Sequence, residues 1–166
     1  MAMVKSAARM RLALSGPDSF FADMNAVLAP ISAPNKFATV AFLSFDAPTM
    51  SFGTAAHLPM LQYRAGSKTV EERWQSNLPI AMVSPAAYTM SAVSCEPRDV
   101  FAILTDGLTE VTDDSERELG LESLKAVLAE NAAAPLQSIA GAFRARALTH
   151  GPQRDDQTVF LARRVA

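Results

Sequence analysis

The sequence predicts an α+β fold with an antiparallel sheet at its core and helix pairs outside it. Helix-patterned stretches come first, short apolar stretches rich in aromatic and β-branched residues fill the middle, and further helix patterns precede a final strand. This order of elements is typical of α+β layered folds. Because 166 residues, 49% of them hydrophobic, suffice for one well-buried core, we expect a single domain over residues 1–166.

The predicted helices place apolar residues three and four positions apart, so that one face of each helix is apolar. They cover residues 2–14, 17–31, 120–130 and 135–148. The first ends at Gly16-Pro17, where a glycine cap precedes a residue that cannot continue a helix. The second has Pro17 in its first turn, where proline is tolerated because no N–H is needed, and Pro30 near its end, where proline closes the helix.

The middle of the chain predicts antiparallel strands. "FATVAFLSF" is followed by the turn residues "DAPTM" and by the extended stretch "SFGTAAHLPMLQYRA", which indicates a hairpin and a third strand. We interpret the polar "GSKTVEERWQSN" as a connection. Further strands are predicted at "LPIAMV", "YTMSAVSCE" and "VFAIL", and "TVFLARR" is the last strand.

Composition excludes several classes of function. The balance of 15 basic and 17 acidic residues provides no electrostatic footprint for nucleic acid or anionic lipid. Cys95 is the only cysteine, so the chain cannot form an internal disulfide, and no run approaches the roughly 18 apolar residues of a membrane span. Residues 1–16 are basic, as organelle presequences are, but lack their serine density, so we interpret them as a core-facing helix. These features favour a cytoplasmic protein.

Carboxylates stand where two apolar strands end or begin. Asp106 and Gly107 follow the apolar run 100–104, and Asp155 and Asp156 precede the last strand. If those strands are antiparallel, these acids lie at one edge of the sheet. Oxygen ligands suit Mg²⁺ or Mn²⁺, so a metal site is one interpretation. The other is that Asp-Gly and Asp-Asp only form turns.

The motifs resemble one family over nearly the whole chain. In order, they are "FGTAAHLP" (52–59), "LPIA" (78–81), "TDGLTE" (105–110) and "DDQT" (155–158). They resemble the SpoIIE-type (RsbU-like) branch of the metal-dependent type 2C protein serine/threonine phosphatases. Together they favour the metal interpretation over the turn interpretation.

The resemblance implies an αββα sandwich of antiparallel sheets flanked by helix pairs, with a two-metal site at one edge. It implies Mn²⁺ or Mg²⁺ bound by Asp106 and Asp155, with Asp156 and Gly107 as further candidates and His57 as a candidate for the rim of the site. Water activated by the cations would attack the phosphate, so no side-chain nucleophile is required. The implied substrate is a phosphorylated anti-anti-sigma (STAS) protein in bacterial sigma-factor regulation.

The chain also departs from the family pattern. Family members carry a Gly-Asp-x-x-Gly-His-Gly-like loop and an earlier acidic motif before the helix that matches residues 2–14, and this sequence has neither. We therefore expect a domain truncated at its N-terminus, either a fragment or a natural pseudophosphatase, with impaired activity and with room for a preceding sensor domain. The alternatives are an inactive binding module and an unrelated α+β domain.

Three substitutions fall inside the matching motifs. Thr54, Ala56 and Ala81 stand where the family has an asparagine and glycines. Two of them add a methyl group where glycine allows close backbone approach, so a change in local geometry is expected there.

Overall fold

The computed structural model describes residues 19–33 and 35–165. They form an α+β fold with two antiparallel sheets, which confirms the predicted class. The helix predicted over residues 2–14 lies outside the described residues. None of the helices described here is both long and apolar enough to cross a membrane.

The elements are numbered in chain order. They are α1 (Phe20–Leu28), a 3-10 turn (Ala29–Ile31), β1 (Val40–Asp46), β2 (Thr49–Ala55), β3 (Met60–Arg64), β4 (Thr69–Arg73), β5 (Ser91–Ser94), β6 (Val100–Leu104), α2 (Asp106–Thr109), α3 (Gly120–Asn131), α4 (Leu136–His150) and β7 (Val159–Arg163). They belong to two compact units. The first comprises residues up to His57 together with Trp74–Ser94, and the second comprises Leu58–Arg73 and the chain from Cys95 onward.

The first unit contains a three-stranded sheet in the order β1-β2-β5. The helix predicted by apolar spacing is present as α1, and its buried face includes Phe20, Phe21 and Met24. The Phe20 ring stacks on Phe42 of β1 with centroids 4.3 Å apart. Burying these aromatic faces removes apolar surface from water and attaches the helix to this sheet.

The strand predicted at residues 78–83 is wrong. Only an isolated bridge between Ala38 and Ile80 forms there. Pro79 has no N–H to donate to a ladder. Side-chain amides replace the ladder: Asn25 Oδ1 accepts the Ala81 N–H at 2.8 Å, and Asn25 Nδ2 donates to the Val83 carbonyl at 2.9 Å.

The second unit contains a four-stranded sheet in the order β4-β3-β6-β7. Strand β4 was missed, because its residues "TVEER" are mostly polar and it occupies an edge, where polar side chains reach water. The predicted helices over 120–130 and 135–148 are confirmed as α3 and α4. Their buried side chains join the core of this sheet; these are Leu124, Val127, Leu128, Ile139, Phe143 and Ala147.

Ala56 and Ala81, which stand where the motif resemblance expects glycine, adopt a backbone conformation that favours glycine. Ala56 has φ 49° and Ala81 has φ 69°, both in the left-handed region. For a residue with a Cβ this region costs about 1–2 kcal/mol. The alanines therefore retain a glycine-like backbone at both positions and are strained there.

Replacing Ala81 with glycine is expected to raise the free energy of unfolding by about 0.5–1 kcal/mol. The strain free energy that glycine removes at positive φ is larger than the extra conformational entropy that glycine gives the unfolded chain. The matched control is Ala87→Gly, an exposed position without positive φ, which should lower stability slightly. Urea denaturation of both variants measures the difference, and equal losses of stability would contradict the prediction.

Candidate metal site

The pairing of β6 with β7 brings the two acidic motifs to one edge of the sheet. The strands are antiparallel, as predicted, and Leu104 pairs with Val159 at this end. Beyond that pair, the Thr105 N–H donates to the Thr158 carbonyl at 3.1 Å, and the Thr158 N–H donates to Thr105 Oγ1 at 2.9 Å. Segments about fifty residues apart in the chain are thus hydrogen-bonded neighbours.

Gly107 allows the backbones of the two motifs to approach each other closely. It lies within α2, and a Cβ added to it would come 2.4 Å from the carbonyl oxygen of Asp156. Any side chain would therefore collide with backbone. Gln157 Nε2 donates to the Gly107 carbonyl at 2.9 Å, and Thr105 Oγ1 donates to the Asp156 carbonyl at 3.2 Å. These hydrogen bonds hold the two motifs against each other.

The acidic side chains at this edge point toward solvent. Asp106, Asp155 and Asp156 are all exposed. Asp106 Oδ1 accepts the Gly107 N–H at 3.0 Å, and Asp155 Oδ1 accepts the Asp156 N–H at 2.7 Å. One carboxylate oxygen of Asp106 and one of Asp155 accept no hydrogen bond from any described residue. Each acid therefore has an oxygen that a cation could take.

The donor set fits a hard divalent cation only in part. Carboxylate and carbonyl oxygens are the ligands that Mg²⁺ and Mn²⁺ prefer. Within residues 19–33 and 35–165, however, no group of three or more His, Cys, Asp or Glu residues lies close enough together to hold a metal ion. The described acids thus supply part of a coordination shell.

The loop after α2 is held by Asp113. Its Oδ1 accepts the N–H groups of Arg117 and Ser115 at 3.0 and 2.8 Å, and its Oδ2 accepts Arg117 Nε at 2.9 Å. The backbone hydrogen bond from Arg117, followed by its side-chain hydrogen bond, lowers the pKa of Asp113 to about 2. Hydrogen bonds to its own loop occupy this carboxylate, so its role is structural.

His57, the candidate rim residue, follows β2 in the first unit and is half-buried. Asp106 and Asp155 belong to the second unit. A role for His57 at the rim stays a prediction.

Sequence reasoning missed Thr105 and Gln157 as the residues that join the motifs. Thr105 belongs to "TDGLTE" and Gln157 to "DDQT". A hydroxyl or carboxamide beside an acid in each motif was the signal that could have identified them. Their side chains can contribute to the site without binding a cation. They position the backbone from which Asp106 and Asp155 project.

Solved structures identify the class of the fold as that of PP2C phosphatase domains. The RsbU and RsbW domains of Rv1364c from Mycobacterium tuberculosis align with a TM-score of 0.81 and 17% identity over 99% of this chain and 47% of that chain. The SiaA-PP2C domain of Pseudomonas aeruginosa aligns with a TM-score of 0.80 and 19% identity over 98% of this chain and 65% of that chain. The chain thus spans about half to two thirds of these relatives.

A metal-containing structure shares the fold as well. The catalytic domain of the serine threonine protein phosphatase PstP, in complex with two manganese ions, aligns with a TM-score of 0.70 and 15% identity over 99% of this chain and 80% of that chain.

The chain belongs to the SpoIIE family: the family model described as Stage II sporulation protein E (SpoIIE) matches residues 1–165. A search of the curated proteins finds no significant match. The resemblance inferred from the motifs is therefore confirmed at the level of the family.

Proposed function

We propose that this chain is a Mn²⁺- or Mg²⁺-dependent protein serine/threonine phosphatase domain acting on a phosphorylated STAS-type regulatory protein in bacterial signalling. The observation that carries the proposal is the interlocked edge where Asp106 and Asp155 project from hydrogen-bonded segments. Membership of the SpoIIE family supports it, as do the relatives with RsbU and SiaA phosphatase domains. Because Cys95 is the only cysteine, we place the reaction in the cytoplasm.

In this proposal the chain positions ligands and the cations supply the reactivity. Asp106 and Asp155 would hold the cation, with Asp156 and the Gly107 carbonyl as further oxygen donors beside them. A bound divalent cation activates water and neutralises phosphoryl oxygens. Thr105 and Gln157 keep the two motifs in register, so the acids approach a shared ion from fixed backbone.

Low activity is part of the proposal. A two-cation centre normally draws on several acidic ligands, whereas the residues that the structure describes bring no three of them together. We expect residues 1–166 alone to bind Mn²⁺ weakly and to hydrolyse a phosphoserine peptide very slowly. Rapid Mn²⁺-dependent release of phosphate by this chain would contradict that expectation.

Removing both candidate ligands is expected to weaken Mn²⁺ binding by about tenfold or more. Asp106→Asn combined with Asp155→Asn keeps the side-chain shapes but removes both negative charges that attract the cation. Isothermal titration calorimetry with Mn²⁺, repeated with Mg²⁺, measures the affinities. Asp114→Asn with Asp46→Asn is the control, since it removes the same charge from exposed acids outside the two motifs. Equal affinities in the two double variants would refute the assignment.

A second candidate function is a binding module that docks a STAS-type partner without chemistry. The absence of a three-acid group in the described residues favours it. Pull-down of a phosphorylated and an unphosphorylated STAS protein separates the two functions. Binding that is unchanged in the Asp106→Asn, Asp155→Asn variant supports docking alone, whereas binding that requires Mn²⁺ supports a working metal site.

A further inference from the structure

A cavity opens beside the acidic edge of the second unit. It has a volume of about 360 Å³, which lies in the range of small ligand sites. We call it the α4 cavity. Its lining consists of Leu108, Ala140, Arg144, Gln153, Gln157 and Val159.

Two glutamines that line the α4 cavity donate hydrogen bonds to the backbone of candidate metal ligands. Gln157 Nε2 donates to the carbonyl of Gly107, and Gln153 Nε2 donates to the carbonyl of Asp155 at 2.9 Å. Both carboxamides thus line the cavity and also hold the backbone that presents the acids. A protein segment bound at the acidic edge would therefore have neighbouring residues within reach of this cavity.

Arg144 is the one charged residue of the lining. Among the described residues, none forms an ion pair or a hydrogen bond with it. Other arginines of this unit are engaged: Arg146 Nε donates to Ser123 Oγ at 2.7 Å, and Arg163 donates to the carbonyls of Ala132 and Ala134. An available guanidinium beside carboxamides complements an oxyanion.

The rest of the lining favours an acidic side chain over a phosphoryl group. Buried Leu108 and half-buried Val159 offer apolar contacts that the methylene groups of a glutamate can cover. The lining carries one positive charge, which suits a carboxylate monoanion better than a phosphate dianion. The phosphoryl group is better matched to cations at Asp106 and Asp155.

We propose that the α4 cavity recognises an acidic side chain close in sequence to the phosphorylated residue of the protein substrate, with Arg144 as the determinant of specificity. This inference rests on the proposed function, because it names a feature of the substrate of that same site. Gln153 and Gln157 contribute neutral donors, and Arg144 contributes the charge.

The test measures the preference for acidic peptides. The probes are fluorescent phosphoserine peptides in which one Glu occupies in turn each of the three positions on either side of the phosphoserine, each paired with a Gln analogue. Binding to the 166-residue chain is followed by fluorescence anisotropy. For at least one position the Glu peptide should bind about three- to tenfold more tightly than its Gln analogue. Arg144→Gln should reduce that ratio to about one, and Arg146→Gln, the matched charge change on the same helix, should preserve it.

Three outcomes would overturn the inference: a ratio near one in the unaltered chain, a ratio that survives Arg144→Gln, or no measurable binding of any peptide. In the second case, equal weakening of both peptides by Arg144→Gln would assign the arginine to the phosphoryl group. Mn²⁺-dependent phosphate release from the Gln peptide tests the proposed function separately. The preference can hold without hydrolysis, and hydrolysis can occur without the preference.

Discussion

Replacing Asp99 with alanine is expected to lower the free energy of unfolding by about 3–5 kcal/mol. Asp99 is 0% exposed and directly precedes β6. Its carboxylate accepts hydrogen bonds from Gln62 Nε2 at 3.1 Å, from the Ala65 N–H at 2.9 Å and from the Glu96 N–H at 3.1 Å, and Arg64 Nη1 lies 3.4 Å away. Alanine would remove the buried acceptor that these groups share, the buried Gln62 carboxamide among them, and chemical denaturation measures the loss.

The matched control is Asp114→Ala, which removes an exposed acid and should change stability by no more than about 0.5 kcal/mol. Asp99→Asn should fall between the two, because the amide keeps one acceptor oxygen but replaces the other with a donor. A loss below about 1 kcal/mol for Asp99→Ala would show that the carboxylate contributes little to stability. Since Asp99 and Asp106 lie at opposite ends of β6, cation affinity of the folded protein should not change.

Replacing Gly107 with alanine is expected to lower stability by about 1–3 kcal/mol and to weaken Mn²⁺ binding by about tenfold. The added methyl group would lie 2.4 Å from the Asp156 carbonyl oxygen and 3.0 Å from its carbon, both backbone atoms that no rotamer change can move. The segment carrying Asp155 must therefore shift away from Asp106. Denaturation and calorimetric titration with Mn²⁺ measure the two effects.

Gly141→Ala is the control for this variant. Gly141 is exposed on α4, and among the described residues no atom beyond the local backbone of the helix lies within 4 Å of the added methyl group. Alanine is the better helix former, so stability should rise by about 0.5–1 kcal/mol with Mn²⁺ affinity unchanged. If Gly107→Ala were as stable as the unaltered chain and bound Mn²⁺ equally well, the close approach would not position the site.

Local patterns were sufficient for the elements whose burial is regular. The apolar spacing of residues 120–130 and 135–148 predicted α3 and α4. A helix places residues three and four positions apart on one face, so its apolar face is visible in the sequence whichever element it packs against. The continuous apolar run at 100–104 predicted β6, since both faces of that strand are covered. The ends of α3 and α4 differ from prediction by one or two residues.

Local patterns failed where hydrogen bonds from outside the segment decide its conformation. Strand β4 is polar and extended because β3 supplies its ladder, with Met60 paired to Arg73. Residues 78–83 look like a strand but are held by the side chain of Asn25 instead. In both places the deciding hydrogen bonds come from outside the segment, from the preceding strand for β4 and from distant Asn25 for residues 78–83, so no pattern within the segment reveals them.

For the candidate site, the sequence by itself determined the chemistry: which residues carry carboxylates, that a buried strand ends before Asp106, and that a further strand begins after Asp156. Only the tertiary structure decided the arrangement. It brought Thr105 onto Thr158 and pressed Gly107 against Asp156. It also opened the α4 cavity around Arg144. The physical reason is that side-chain chemistry is a property of each residue, whereas contacts across about fifty residues exist only once the sheet has paired.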